Sequence, residues 1–242
     1  MTATGRPNVG HDTLVVAVGD LHGCLDQLRA LGPMILAAAA AERASRRVLV
    51  YLGDYVDRGP DSRGVIAALL DDPLPTFATV HLKGNHEDLM HAFLVGAPAW
   101  PWLMNGGVET CVSYGVEPPE ISRIGGGDAE LRARLLERIP PEHLEFLERL
   151  TLTHREGDYL FVHAGIRPGV ALDTQAPRDL LWIRDLFLAS EEDFGAVVVH
   201  GHTPTRAPQE RANRIGIDTG ACYGGALTAL VLAGARRRFL QV

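Results

Sequence analysis

Short apolar runs recur along the chain, and each ends on a cluster of glycine and polar residues. Leu14–Val18 leads into Gly19-Asp20-Leu21-His22-Gly23, and Val48–Leu52 into Gly53-Asp54-Tyr55-Val56-Asp57-Arg58-Gly59. Phe77–Leu82 leads into Lys83-Gly84-Asn85-His86-Glu87. Further on, Tyr159–Val162 precedes His163-Ala164-Gly165, and Val197–Val199 precedes His200-Gly201-His202-Thr203. Runs this short, rich in Val and Leu and bounded by Gly, predict buried strands. The stretches between the first three have helical character. Leu25–Arg46 places apolar residues at mixed three- and four-residue spacing, with Gly32-Pro33 as the expected break or restart. Ser62–Leu70 and Glu87–Leu94 predict two more helices. Strand, helix, strand, helix, strand is the α/β pattern, in which ligands gather at the carboxyl ends of strands. The polar clusters sit at those ends.

The middle of the chain reads differently. Residues 96–127 carry Pro, Gly, Trp100 and Trp102 without a clean period, which predicts an irregular insertion over or beside the site. Ala129–Leu150 returns to a charged helical pattern, with Pro140-Pro141 starting a new helix. Arg214–Val242 reads as strands closing the sheet, with a turn near Ala233-Gly234. No repeat or linker divides the chain, so one domain over 1–242 is expected, with residues 1–12 as a flexible tail.

Composition narrows the classes. A chain of 242 residues with 46% hydrophobic and 22% charged residues has the size and make-up of one folded α/β domain. A formal net charge of −7 argues against broad nucleic-acid binding, which needs many cations facing phosphates. Cys24, Cys111 and Cys222 are odd in number and lack metal-binding spacing, which fits free thiols in a reducing compartment. The first residues have no apolar leader core, and the longest helix-like apolar stretch, Met34–Ala41, is far short of the roughly 20 residues a membrane span needs. These features predict a soluble cytoplasmic protein without membrane contact. Oligomeric state leaves no mark in the sequence.

The polar clusters hold the chemistry. Asp20 and His22 are two apart after a strand, which points both side chains into one pocket. A carboxylate and an imidazole suit a divalent cation of intermediate hardness, such as manganese, iron or zinc. Asp54 ends the next strand, and its two oxygens suffice to bridge two cations. Asn85 offers a carbonyl oxygen, and His163 and His202 offer imidazole nitrogens. The set is enough for two cations sharing Asp54, which in such sites polarise a substrate oxygen and generate hydroxide near neutral pH. Any single fragment reads more simply as a polar turn. Five fragments after five strands, all of ligand-type residues, do not.

The fragments GDLHG, GDYVDRG, GNHE, HAG and GHT resemble the signature set of the metallophosphoesterases. GDYVDRG with GNHE is similar to the phosphoprotein phosphatase family of serine/threonine phosphatases, in particular its small bacterial and bacteriophage members. The resemblance runs from Gly19 to about Gly225. It implies a central β-sandwich flanked by helices. It also implies Asp20, His22 and Asp54 on a first cation, and Asp54, Asn85, His163 and His202 on a second, manganese foremost with iron or zinc as alternatives. His86 would protonate the leaving group, and Asp57 would orient His86 and stabilise its protonated form. Arg58 and Arg184 would bind the phosphate oxygens. The implied reaction is a single in-line attack by hydroxide bridging the two cations, with no phosphorylated enzyme. The cysteines lack the phosphate-binding loop that a covalent route requires.

Simpler readings weigh against several other residues. His200 competes with His202 as a ligand, and the family pattern favours His202. His81 reads as core, and His11, His91, His143 and His154 as surface. Glu87 and Asp88 read as first-turn helix charges rather than ligands. Trp100 and Trp102 read first as packing for the insertion and second as shaping a substrate groove, Tyr223 as a candidate site tyrosine, and Arg236-Arg237-Arg238 as a solvated strand end. The leading expectation is a phosphatase acting on phosphoserine or phosphothreonine in proteins, or on small phosphoesters. The nearest alternative is symmetrical diadenosine tetraphosphate hydrolysis, against which Asp57 and Glu87 speak. A non-catalytic binding module on the same fold is the alternative from another class, and such a module is expected to lose ligands or His86.

Overall fold

The computed structural model describes residues 6–71, 74–117 and 127–242. Its first strand, β1 (Thr13–Val18), is buried on both faces from Leu14 onward, which is why its sequence is a continuous apolar run. β2 (Arg46–Tyr51) pairs with β1 in parallel, and β3 (Ala78–His81) pairs in parallel with β2. On the other side of β1, β9 (Thr228–Ala233) runs antiparallel and carries β10 (Arg236–Gln241) at the sheet edge. The order of this five-stranded sheet is β10-β9-β1-β2-β3. A second five-stranded sheet is built from β4 (Thr153–Glu156), β5 (Tyr159–Val162), β6 (Val197–His200), β7 (Gln209–Glu210) and β8 (Arg214–Gly216), in the order β4-β5-β6-β8-β7.

The two sheets stack face to face. Val15, Ala17, Val48 and Val50 from the first meet Tyr159, Phe161, Val197, Val199 and Ile215 from the second in one buried cluster. Alternate residues of β1, namely Leu14, Val16 and Val18, point the other way and pack under helices. Those helices are α1 (Leu25–Ala40), α2 (Ser62–Leu70) and α3 (Asn85–Leu94), with α6 (Asp128–Arg138) and α7 (Pro141–Glu148) beside them. Two short helices, α8 (Pro177–Trp182) and α9 (Asp185–Leu188), cover the outer face of the second sheet. The architecture is the expected helix-flanked β-sandwich.

Three expectations change. α1 does not break at Gly32-Pro33 but runs through it. Leu25, Leu28, Leu31, Ile35, Ala38 and Ala39 form one continuous buried stripe, while Pro33 is exposed, so packing outweighs the single hydrogen bond that proline removes. The C-terminal strands do not close one sheet: β8 belongs to the second, β9 and β10 to the first. The insertion, read as irregular with short elements, is helical over residues 100–113, with α4 (Trp100–Trp102), a π-helical turn (Leu103–Gly107) and α5 (Val108–Ser113) in direct succession. A left-handed kink at Gly106, φ 104°, interrupts the period and hides it from sequence. Residues 118–126 of the expected insertion, and 1–5 of the expected tail, lie outside the described residues. Asn8 and Val9 are pinned: the Asn8 amide donates to Asp158 Oδ2 at 2.9 Å, and the Val9 amide to the Gly234 carbonyl at 3.2 Å. Among the described residues no helix is long and apolar enough to cross a membrane.

Candidate active site

The loops at the carboxyl ends of strands from both sheets converge on one buried cluster of polar side chains. The loops after β1, β2 and β3 supply Asp20 and His22, then Asp54, Asp57 and Arg58, then Asn85 and His86. From the other sheet, β5 supplies His163 and β6 supplies His202. The backbone there is unusual. Among the described residues, the non-glycine positions with positive φ are His22 (41°), Asp54 (51°), Asp57 (74°), Arg58 (67°) and His202 (65°). All five are site residues predicted from the sequence. Such conformations cost about 1–3 kcal/mol each and persist only where surrounding contacts enforce them.

Glu87 is one of the enforcing contacts. Its fully buried carboxylate accepts from the backbone amides of Asp54 (2.9 Å), Tyr55 (2.7 Å), Val56 (3.2 Å) and Gly84 (2.8 Å). It thus caps α3 and clamps the loop after β2 in one stroke. Burial, then Asp54, raises its pKa to about 7, and the amide bonds pull against this. The capping role is as expected, and the clamp on a second loop is additional.

Two buried groups of potential cation ligands meet at Asp54. One joins His22, Asp54 and His86; the other joins Asp54, His163 and His202. Asp54 Oδ2 lies 3.3 Å from His22 Nε2 and 3.9 Å from His86 Nε2, while Oδ1 lies 3.4 Å from His163 Nε2. His163 Nε2 is also 2.9 Å from Asn85 Oδ1 and 3.2 Å from His202 Nδ1. His163 is fixed through Nδ1 by the Leu52 carbonyl, and His22 through Nδ1 by the Val56 carbonyl. Asp20 stands outside both groups, and its carboxylate accepts the His202 amide on both oxygens. Of the two neighbouring histidines, His202 reaches the centre. His200 turns away, edge-on to Phe187 at 5.1 Å, with burial lowering its pKa to about 4.

The charges are unbalanced as they stand. Burial raises Asp54, but the imidazoles of His163, His86 and His22 outweigh it and hold that carboxyl well below the usual range. Asp20 is raised well above it by burial, Asp218 and Asp54. Burial lowers His163, and lowers His202 to about 2. Carboxylates that repel one another and imidazoles that resist protonation are a donor set suited to divalent cations. Among these ligand candidates the buried His202 Nε2 has no hydrogen-bond partner. The residues present therefore fit bound divalent ions.

Beside the centre, His86 Nδ1 lies 2.7 Å from Asp57 Oδ2, and both side chains are wholly buried. Arg58 and Arg184 approach from the mouth. The Arg58 guanidinium sits 5.7 Å from the centre of the exposed Tyr223 ring, and its Nη1 is 2.7 Å from His22 Nε2. Arg184 is exposed, donates to Thr203 Oγ1 at 3.4 Å, and is close enough to help lower His202.

Sequence reasoning missed three contributors. Asp218 comes after β8 just as the predicted ligands come after their strands, and it is buried against the acidic centre. Trp102 and Thr110, from the insertion, both reach Asp57. The surface reading also fails for His143, which is buried and bonded to the Tyr114 hydroxyl at 2.8 Å.

A profile of the calcineurin-like phosphoesterase family matches residues 13–226. The asymmetrical bis(5'-nucleosyl)-tetraphosphatase PrpE of Halalkalibacterium halodurans is 30% identical over 226 residues, covering 88% of this chain and 87% of that protein. Serine/threonine-protein phosphatase 1 of Salmonella typhimurium is 29% identical over 219 residues, covering 88% and 89%. The crystal structure of a putative diadenosine tetraphosphatase superposes with a TM-score of 0.64 at 25% identity, covering 95% of this chain and 94% of that one.

Proposed function

The chain belongs to the calcineurin-like phosphoesterase family, and from that premise we propose that it hydrolyses phosphate monoesters of alcohols, foremost phosphoserine and phosphothreonine in proteins. The His86–Asp57 pair carries this reading. A serine or threonine alkoxide is a poor leaving group and needs a proton as the bond to phosphorus breaks, whereas a nucleotide leaves readily without one. A buried imidazole braced on a carboxylate, with its far nitrogen unpartnered, is a device for delivering that proton.

Two divalent cations, manganese foremost with iron or zinc as alternatives, would be held by Asp20, His22 and Asp54 and by Asp54, Asn85, His163 and His202. When bound they would supply Lewis acidity toward the phosphate and an acidified water. Arg58 and Arg184 receive the non-bridging phosphate oxygens, for which planar guanidinium forks are suited. Tyr223 holds the Arg58 guanidinium against its ring. His86 passes its proton from Nε2 to the departing alcohol, and Asp57 keeps the ring in position through Nδ1.

A second reading is supported by PrpE and by the putative diadenosine tetraphosphatase: cleavage of dinucleoside tetraphosphates. PrpE is the asymmetrical enzyme, not the symmetrical one weighed from the sequence. One panel separates the two readings. The manganese-loaded protein is given a phosphoserine peptide, an aryl phosphate and diadenosine tetraphosphate. We expect turnover of the peptide, and a loss of roughly a hundred- to ten-thousand-fold for His86→Asn on that substrate, with a much smaller loss on the aryl phosphate. Turnover of the tetraphosphate with none of the peptide replaces the first reading by the second.

A further inference from the structure

Asp57 is gripped from the insertion. Its carboxylate has no exposure to solvent, yet it takes three side-chain donors at once. His86 Nδ1 lies 2.7 Å from Oδ2, Thr110 Oγ1 donates to Oδ1 at 2.7 Å, and Trp102 Nε1 donates across both oxygens at 3.0 and 3.1 Å. The Asp57 amide in turn donates to Thr110 Oγ1 at 2.8 Å and to Ser62 Oγ at 3.0 Å. Trp102 lies before the Gly106 kink and Thr110 after it, so the kinked helix closes on Asp57 like two jaws. Between the jaws, the Gly106 carbonyl accepts the Arg58 amide at 3.1 Å. A side chain at Gly106 would run into Arg58, and one at Gly107 into the Trp102 ring. The ring itself stacks on Phe93 of α3, the helix that carries His86 near its start.

We propose that Trp102 and Thr110 are positioning residues for the proton donor, acting through Asp57 on the orientation of His86. This rests on the reading of His86 as the group that protonates the leaving alcohol. The last torsion of an aspartate side chain is broad, so a carboxylate held only by His86 would turn with it. Trp102 and Thr110 occupy the remaining lone pairs of Oδ1 and fix the carboxylate plane. Oδ2 then holds the imidazole plane, and with it the direction of Nε2. A proton donor is effective only when it points at the leaving oxygen at the moment of bond breaking. Trp102 and Thr110 therefore act on leaving-group protonation, while the Gly106 carbonyl between them holds the backbone of Arg58.

Trp102→Phe keeps an aromatic ring beside Phe93 but deletes the N–H, and Thr110→Val keeps the shape but deletes the hydroxyl. In the manganese-loaded protein each is expected to lower kcat on a phosphoserine peptide roughly tenfold or more, with KM unchanged. On an aryl phosphate, whose leaving group needs little protonation, kcat should change far less. In a His86→Asn background neither substitution should lower kcat on the peptide further. A second readout needs no cation. The metal-free wild type should show a downfield imidazole proton on His86 Nδ1, absent from His86→Asn and weakened in Trp102→Phe. Equal losses on both substrates, or an undiminished loss in the His86→Asn background, overturn the proposal and leave a structural role. If His86→Asn itself does not distinguish the substrates, the proton-donor reading falls, and this proposal with it. Circular dichroism and thermal melting separate either result from misfolding, and concordance of the two variants guards against one of them failing to fold.

Discussion

Replacing Glu87 by Gln removes one negative charge and leaves the shape almost untouched, so it isolates what the carboxylate does. Oε2 accepts from the Asp54 and Gly84 amides, and Oε1 from the Tyr55 and Val56 amides. Glutamine has one oxygen, so whichever way its amide turns, an NH2 faces two backbone N–H groups. Two bonds are lost at about 1 kcal/mol net each, and two buried donors are left unpaired at about 1–3 kcal/mol each, terms that partly overlap. The expected loss is thus about 2–5 kcal/mol, a large share of a typical stability of about 5–15 kcal/mol. At roughly 2–4 °C per kcal/mol for a domain of this size, melting should fall by roughly 5–20 °C. Urea unfolding of the metal-free protein at about pH 8.5, above the pKa of about 7 to which burial raises Glu87, measures the difference at constant m-value. A loss below about 1 kcal/mol would refute the claim that this carboxylate is a net stabilising clamp, because relief of the buried charge beside Asp54 would then match what the four amide bonds contribute.

The same contacts carry other consequences. Gly201→Ala would put a methyl group onto Asp20 Oδ1, so it should lower stability by about 1–3 kcal/mol and weaken manganese binding in titration calorimetry. Manganese should raise the melting temperature of the chelator-treated protein, by about 2.7 kcal/mol of stability at a hundred times its dissociation constant, and Asp54→Asn should abolish the rise. Burial lowers the pKa of His143, so below the ordinary value of about 6.5 the unfolded chain binds a proton that the fold refuses. The stability of wild type relative to His143→Gln should therefore shrink as pH falls from about 7 to about 5, by at most about 1.4 kcal/mol per pH unit, and a difference that is flat with pH would remove that assignment.

How much of this was legible in the sequence depended on how local the signal was. Asp20, His22, Asp54, Asn85, His163 and His202 each come directly after an apolar run, and the end of a strand fixes where the next few side chains lie. Asp218 carries the same signal after Ile215-Gly216-Ile217, but strand β8 is only three residues long and its run is too brief to stand out. The break expected at Gly32-Pro33 failed because local propensity was weighed without the buried stripe that crosses it. The contacts of Trp102 and Thr110 with Asp57 span 45 and 53 residues, and no periodicity in the insertion announces them. The split of the C-terminal strands between two sheets is likewise a matter of tertiary pairing, which alternation along a strand does not encode.

The pairing of β1 with β9 has a consequence for assembly of the protein in time. Val18, just before Asp20, lies opposite Ala229, so the strand that aims the first proposed ligands is flanked on one side by a strand made only after the whole second sheet. As the chain emerges from the ribosome, β2 and β3 have long been available, and the whole second sheet precedes β9. The first sheet is therefore finished only when β9 pairs with β1 and β10 pairs with β9. Until then one edge of β1 is unpaired, and the first proposed cation ligands follow a strand held only by β2. Activity should appear only once β9 has been made, and shortened chains ending before Thr228 should bind cations poorly even with every proposed ligand present.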